Sequence, residues 1–248
     1  MVYDYKAGKA RVEEILSNPI VVNESDKLPS VENLTYENAC HSWVSAVFVD
    51  IRNSTEMFSD SRDREETVRA VRAFTSEIIE ILRGDNMERE LGIRGDCVYA
   101  IYTTPTKEDI NDLFSKACWI NTYLNMLNKL LAKHDFDTIR AGIGLATGHD
   151  HVIKAGRKNV GINATVWVGE AVAMASKLSS YGEKNGISRI VCSGLFYSNM
   201  IEILEKENPN KMPESWFHTS QYLPYGARHA DVIMSELNDW IEAGMPAT

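Results

Sequence analysis

Two aspartates stand where predicted strands end, and their side chains could bind metal ions. Asp50 comes near the end of the apolar run 42–51, SWVSAVFVDI, and Asp96 lies between the two short runs of the segment 88–103, ERELGIRGDCVYAIYT. If these strands are neighbours in one sheet, both carboxylates converge at one end of it. Two carboxylates and a backbone carbonyl are the hard oxygen ligands that Mg²⁺ or Mn²⁺ prefers beside substrate phosphates. Two metal ions held in this way could polarise a phosphate and help to deprotonate an attacking hydroxyl.

Each aspartate also has a purely structural interpretation. Asp50 could cap the segment that follows it, and Asp96 could simply form a turn, where Asp is common. For either residue alone this interpretation is the more usual one. Their joint placement, each at the end of a strand, favours metal binding.

The elements that would position these aspartates alternate between strands and helices. The run 42–51 is apolar and rich in β-formers, which predicts a buried strand, and the Gly95-Asp96 pair predicts a hairpin. Long helices are predicted on either side of that hairpin, followed by a second hairpin, a shorter helix and a strand. Helices interleaved with hairpins predict an α+β fold, with a mainly antiparallel sheet that helices cover. The predicted helices are 59–84, 107–134 and 168–182, with a further helix near 195–205 and a strand pair around 216–222.

The second hairpin is predicted from the segment 137–156, with strands over 137–148 and 151–156 and a turn at GHDH. His149 and His151 have a spacing suited to metal binding on a strand. A segment rich in Asp, His and Gly is more often a turn, so we predict a turn without a metal.

Composition sets the broad class of the protein. The chain has 248 residues, 44% hydrophobic and 25% charged, and a formal net charge of −9. Double-stranded nucleic acid is an unsuitable partner for such a surface, because its binding depends on clustered Lys and Arg.

No apolar run approaches the roughly 20 residues that span a bilayer, and the first residues lack the core of a signal peptide. We expect a cytoplasmic protein, with residues 1–40 as an N-terminal extension and 41–248 as the catalytic domain. Its four scattered cysteines are expected to be reduced thiols.

Four segments together resemble the class III adenylate and guanylate cyclases. VFVDIRNSTEMF resembles their first metal motif, and GIRGDCVYAIY their second. IRAGIGLATGHDHVIKAG is similar to their next hairpin, and VWVGEAVAMASKLSSYG to the helix that follows it. The resemblance covers about residues 43–195. Each motif alone is weakly specific, but four in the same order are strong support, and they imply the ferredoxin-like core of that family.

The resemblance implies a role for each residue of the first two motifs. Asp50 and Asp96 would bind two divalent ions, Mn²⁺ or Mg²⁺, with help from the Ile51 carbonyl. The ribose 3′-hydroxyl of a nucleoside triphosphate would attack the α-phosphate and expel pyrophosphate. The metal aspartates and the transition-state cation would come from different subunits, which implies a homodimer. Backbone amides would cradle the triphosphate, those of Asn53, Ser54 and Thr55.

Departures from the purine cyclases point to a different base. Gly92 stands where they usually have a purine-reading Lys, and Val166 where they usually have a polar residue. Ala173 replaces the Asn that orients the ribose, and Lys177 replaces the Arg that stabilises the transition state. Lys177 keeps a positive charge without the bidentate fork of Arg.

Arg94 is the candidate replacement for base recognition. It shares a strand face with position 92, because side chains alternate with period two. Its guanidinium could donate to the carbonyl oxygens of a smaller base. A solvated residue at the end of a strand is an equally good interpretation of Arg94.

This combination resembles the bacterial pyrimidine cyclases of the Pycsar antiphage systems. Members of that family make cyclic UMP or cyclic CMP after infection, and the product activates a separate effector protein. We favour UTP as the substrate, because both ring carbonyls of uracil suit an Arg donor. The alternatives are a cytidylate cyclase, a purine cyclase and an inactive nucleotide-binding homologue. A diguanylate cyclase or a relative of the polymerase palm, which share the ferredoxin-like core, is disfavoured, since the Gly-Gly-Asp/Glu-Glu-Phe hairpin is missing from the sequence.

Overall fold

The computed structural model describes residues 2–25, 33–54, 64–84, 86–157, 161 and 163–247. By their internal packing the residues divide into two units, one of 1–42 with 151–168 and one of 43–150 with 169–248. The strands and helices that follow are numbered in chain order.

The chain alternates strands and helices along most of its length. The strands are β1 (Val21–Glu24), β2 (Asn38–Ile51), β3 (Glu88–Arg94), β4 (Cys97–Thr103), β5 (Ala141–Gly156), β6 (Asn163–Gly169), β7 (Ile190–Cys192), β8 (Phe217–His218) and β9 (Arg228–Ala230). The helices are α1 (Tyr5–Ser17), α2 (Arg64–Leu82), α3 (Lys107–Lys133), α4 (Glu170–Ser179), α5 (Gly194–Glu207) and α6 (Ser235–Glu242), with a 3₁₀ turn at Pro213–Trp216.

The sheet confirms the predicted α+β architecture. Its strands run in the order β3-β4-β2-β5-β7-β9-β8. The pairs β3/β4, β4/β2, β7/β9 and β9/β8 are antiparallel, whereas β5 and β7 are parallel. The edge with β3, β4 and β2 carries both aspartates singled out above, so the order of these strands decides whether the carboxylates meet.

The larger unit buries one face of this sheet beneath helices α2 and α3. Helix α2 contributes Phe74, Ile78 and Leu82 to the core, all fully buried, because they recur at the helical spacing of one apolar face. On the strands, alternate residues such as Val47 and Val49 join that core. The residues between them point to the opposite face, which is only partly buried and carries the candidate site.

The smaller unit has a core of its own. Leu34, Cys40 and Val152 pack together, and the partly buried Trp167 lies against them. Strand β1 pairs in parallel with residues 38–41 of β2, a pairing that the polar sequence around β1 did not predict.

One predicted turn is wrong. Residues 148–151, GHDH, are not a turn but the middle of the continuous strand β5. Asp150 is fully buried, and its carboxylate accepts hydrogen bonds from the backbone amides of Ala171 and Val172. His149 points to the other face, where its ring meets the edge of Trp43 at 4.9 Å. The segment therefore stays in a strand despite its turn-like composition, because Asp150 and His149 both have partners in other parts of the chain.

The tail differs in detail from the prediction. A strand pair is present, but β8 at Phe217–His218 pairs with β9 at Arg228–Ala230, beyond the predicted limit of 222. None of the helices in the described part of the chain is both long and apolar enough to cross a membrane.

Candidate active site

Asp50 and Asp96 meet at one end of the β2–β4 pair. Asp50 lies opposite Cys97 in the antiparallel register, and Asp96 is the residue just before Cys97. The turn that carries Asp96 is tight, because Gly95 adopts a φ of 63°, which glycine accepts without strain. The predicted convergence of the two carboxylates is therefore present in the fold.

The surroundings of Asp50 disfavour its ionised form. Burial raises the pKa of Asp50, and the neighbouring charge of Asp96 raises it further, while Arg52 and Lys184 act in the opposite direction. A divalent cation between the two carboxylates would reverse the balance, since it would offset their mutual repulsion. The donor set thus fits a hard cation.

The protein would supply only part of the coordination shell. Within the described residues, no group of three or more His, Cys, Asp and Glu side chains is placed to hold a metal. Two carboxylates with the Ile51 carbonyl leave several positions for water and phosphate oxygens. Mg²⁺ and Mn²⁺ sites that share their ions with a substrate have this composition.

Arg52 is a site residue that the sequence analysis missed. It is buried, with 8% of its surface exposed, and its Nη2 donates to Asp50 Oδ2 at 2.8 Å. The same guanidinium reaches the end of helix α4, where Nη2 donates to the Ser179 carbonyl and Nη1 to the Ser180 carbonyl. Strand alternation would not have found this contact, because β2 ends at Ile51 and Arg52 lies in the turn that follows.

The proposed triphosphate loop is partly described. Asn53 lies in the turn after β2 with a φ of 55°, a left-handed conformation that Asn tolerates better than most residues. Ser54 follows it in a helical conformation. Thr55 lies outside the described residues.

Gly92 has a steric explanation in the neighbouring strand. It lies opposite Tyr99, and a Cβ atom at position 92 would stand 2.8 Å from both Cζ and Oη of Tyr99. The Tyr99 ring stacks on Phe48 with centroids 5.2 Å apart, and its hydroxyl donates to Glu90 at 2.6 Å. The aromatic ring therefore occupies the space that a side chain at position 92 would need.

Arg94 is exposed at the end of the same strand face. Burial and the hydrogen bond to Glu90 raise the pKa of Tyr99 to about 12, and the charge of Arg94 acts against that rise. Arg94 and Tyr99 are thus close enough to interact electrostatically. Arg94 keeps both interpretations that the sequence left open.

Helix α4 carries the predicted catalytic Lys177 on its exposed face. Among the described residues, the Lys177 side chain has no hydrogen bond or ion pair, while its backbone carbonyl accepts a hydrogen bond from the Ser180 hydroxyl. Ala173, one turn earlier, is also exposed. Within the described residues, Lys177 is therefore not paired with either carboxylate.

Helix α4 packs directly on the backbone of β5. A Cβ atom at Gly142 would collide with the Ser179 carbonyl, and one at Gly144 with the Ala175 carbonyl. No other residue would permit this approach, because any side chain would push the helix away.

Residues 36–198 match the family described as the Adenylate and Guanylate cyclase catalytic domain. The chain belongs to this family. The match includes both aspartates, the Gly92–Tyr99 contact and helix α4, so the resemblance inferred from four motifs is confirmed.

Two curated relatives of this cyclase domain carry the name uridylate cyclase. The protein of Treponema porcinum is 46% identical over 246 residues, which is 99% of this chain and 83% of the relative. The protein of Gulbenkiania mobilis is 27% identical over 248 residues, covering 97% of this chain and 96% of the relative.

Solved structures show the same fold at low identity. A class III adenylyl cyclase-like ATP-binding protein from Pseudomonas aeruginosa aligns with a TM-score of 0.66 at 17% identity, over 94% of this chain and 48% of its own. The adenylyl cyclase CyaB of P. aeruginosa aligns at 0.57 and 21% identity, over 66% of this chain and 83% of its own. The cyclase core predicted from the sequence is thereby confirmed.

Proposed function

We propose that this chain is a uridylate cyclase, which converts UTP into 3′,5′-cyclic UMP and pyrophosphate. The observation that carries the proposal is the 46% identity to a uridylate cyclase across 99% of the chain. The two carboxylates at the β2–β4 edge support a catalytic rather than a purely binding role, because a domain without chemistry would have no need of both.

Catalysis by this site would depend on position and charge. Asp50, Asp96 and the Ile51 carbonyl would hold two divalent ions, Mn²⁺ or Mg²⁺, which polarise the α-phosphate and acidify the ribose hydroxyl when bound. The 3′-oxygen forms a bond to the α-phosphorus as the bond to the pyrophosphate oxygen breaks, and the hydroxyl proton leaves to solvent.

Other residues would orient the substrate and stabilise the charge that develops. The backbone amides of Asn53, Ser54 and Thr55 would bind the triphosphate, and Arg94 would donate to the carbonyl oxygens of uracil. Lys177 from a second copy of the chain would stabilise the negative charge on the reacting phosphate. The active form is therefore a homodimer.

The base preference has a steric as well as a polar component. Tyr99 fills the space beside Gly92, and the stack of Tyr99 on Phe48 holds it there. A site narrowed in this way favours a pyrimidine over a purine. Uracil has two ring carbonyls for an Arg donor, whereas cytosine has an amino group at one of those positions.

The biological setting follows from the product. A cyclic pyrimidine nucleotide serves as a second messenger for a separate effector protein, which we propose acts in antiphage defence in the cytoplasm. The enzyme itself would need neither nucleic acid nor a membrane as a partner.

The test is incubation with each of the four ribonucleoside triphosphates and Mn²⁺, followed by chromatography. We expect cyclic UMP from UTP, with ATP and GTP converted far more slowly. Cyclic CMP as the main product would make the chain a cytidylate cyclase, and no product from any nucleotide would make it a binding module.

Two substitutions, Asp50→Ala and Asp96→Ala, test the proposed metal site. Each should abolish turnover while the circular dichroism spectrum stays unchanged. More than about a tenth of the wild-type rate in either variant would contradict the two-metal assignment.

A further inference from the structure

Helix α4 is held at its N-terminal end by a buried acid. The Asp150 carboxylate accepts hydrogen bonds from Ala171 N at 2.9 Å and from Val172 N at 3.1 Å, and the side chain is fully buried. These amides are among the first of the helix and have no partner within it. A negative charge at this end also complements the helix dipole.

The C-terminal end of the same helix is held by a buried base. The Arg52 guanidinium donates to the Ser179 carbonyl at 2.8 Å and to the Ser180 carbonyl at 2.9 Å. These carbonyls are the corresponding unpaired groups at the end of a helix, and a cation there is favourable. Both ends of α4 are thus held by charged side chains, Asp150 from strand β5 and Arg52 from the turn after β2.

Arg52 differs from Asp150 in that it also bonds a residue of the candidate metal site, Asp50. The Nη2 atom that donates to the Ser179 carbonyl also donates to Asp50 Oδ2 at 2.8 Å. The backbone of Arg52 is anchored as well, since its amide donates to the Arg140 carbonyl at 2.8 Å. The rigid, planar guanidinium of Arg52 therefore contacts both the Asp50 carboxylate, at the end of the β2–β4 pair, and the helix that carries Lys177.

We propose that Arg52 is a positioning residue that orients Asp50 and the end of helix α4 together. The inference rests on the proposed function, in which Asp50 binds metal and Lys177 serves the site of a second copy. Within one chain, Arg52 then couples the metal half of one active site to the Lys177 half of the other. A Lys at this position would keep the charge, but its single ammonium group could not reproduce the fork that donates to Asp50, Ser179 and Ser180 together.

The experiment measures binding of Mn²⁺ with 3′-deoxy-UTP by calorimetry, alongside thermal unfolding. The analogue lacks the attacking hydroxyl, so binding is read without turnover. Hydrogen-bond partners of metal ligands contribute about 10- to 100-fold in metal affinity, and we expect Arg52→Ala to weaken Mn²⁺ binding within that range. Arg52→Lys should fold normally and still bind Mn²⁺ on the order of 10-fold more weakly than the wild type.

Two variants separate positioning from a general loss of stability. Arg189 is a partly buried Arg, which donates to Glu183 and to the Asn121 carbonyl and has no hydrogen bond to Asp50 or Asp96 among the described residues. Arg189→Ala should lower the melting temperature without changing Mn²⁺ affinity. Asp150→Ala should loosen α4 from its other end, lowering kcat while Mn²⁺ affinity is kept.

The outcomes distinguish the inference from the proposed function. If Arg52→Ala and Arg52→Lys behave like Arg189→Ala, with unchanged Mn²⁺ affinity, Arg52 is merely structural and the inference is wrong. Wild-type affinity and kcat in Arg52→Lys would also overturn it, because a single charge would then suffice. Asp50→Asn is measured in parallel, and if it too leaves Mn²⁺ binding intact, the metal assignment itself fails.

Discussion

Gly92 lies opposite Tyr99 in the β3–β4 pair, and a Cβ atom at position 92 would stand 2.8 Å from the Tyr99 hydroxyl oxygen. Gly92→Ala should therefore push the Tyr99 ring from its stack on Phe48, and we expect a cost at the lower end of the range of about 1–3 kcal/mol for overpacking, because both residues are only partly buried. The cost should shrink in a Tyr99→Ala background, which a double-mutant cycle by urea unfolding would measure. Gly148→Ala is the matched control, because its added Cβ meets neighbours at 3.7 Å or more. If the effects of Gly92→Ala and Tyr99→Ala on the free energy of unfolding simply add, the predicted clash between these two residues is wrong.

Arg94 is expected to select the base. A site whose polar groups are paired by one base rejects another, because each buried donor left unpaired costs about 1–3 kcal/mol. Arg94→Ala should therefore slow UTP turnover and reduce the preference for UTP over ATP and GTP, measured as ratios of kcat/KM. Arg72→Ala, which removes an exposed Arg on α2, should leave both unchanged. Full rate and full selectivity in Arg94→Ala would leave Arg94 as a solvated strand-end residue.

The proposed sharing of each site between two copies of the chain predicts complementation between inactive chains. Asp50→Ala and Lys177→Ala proteins should each be inactive alone, and mixing them should restore part of the activity. The mixed dimer has one site with both an intact carboxylate pair and an intact Lys177. The measurement is the cyclisation rate after subunit exchange, with exchange verified by differently tagged chains. No recovery despite exchange would exclude a shared site.

Asp50 should make the metal-free protein less stable at neutral pH. Burial raises its pKa in the folded chain, so stability is greatest where Asp50 is protonated and falls as pH rises through the folded pKa. Asp50→Asn should therefore raise the melting temperature at about pH 8, and the gain should shrink as the pH falls through the raised pKa of Asp50 towards the ordinary value of an unfolded Asp, about 4. Scanning calorimetry in the presence of a chelator measures the melting temperatures of the wild type and of Asp50→Asn across this pH range. A lower melting temperature for Asp50→Asn at about pH 8 would contradict this sign.

Local patterns in the sequence were sufficient for the elements that carry the carboxylates. Strand β2 and the β3–β4 hairpin were predicted because apolar runs and a Gly-Asp turn are short-range signals. Their adjacency then placed Asp50 near Asp96. Helix α3 was predicted from 107 to 134 and runs from Lys107 to Lys133, since its spacing is strongly periodic and Thr106 and Asp109 form a capping box.

Features that depend on distant partners were not predictable in the same way. The continuity of β5 through Asp150 depends on helix α4, whose amides that side chain accepts. The role of Arg52 depends on carbonyls more than a hundred residues later in the chain. The reason for Gly92 lies in the ring of Tyr99, which only the strand register places above it. In each case the structural role of the residue depends on a partner that is distant in the sequence, so a local sequence pattern does not predict it.

The close packing of α4 on β5 bears on how this enzyme can evolve. The helix meets the strand at Gly142 and Gly144 through main-chain atoms, which are the same whatever the side chains elsewhere in the core. Substitutions that repack the apolar interior can therefore accumulate without moving Lys177. Sequence drift in the core is thereby separated from the placement of helix α4, which main-chain contacts at two glycines maintain.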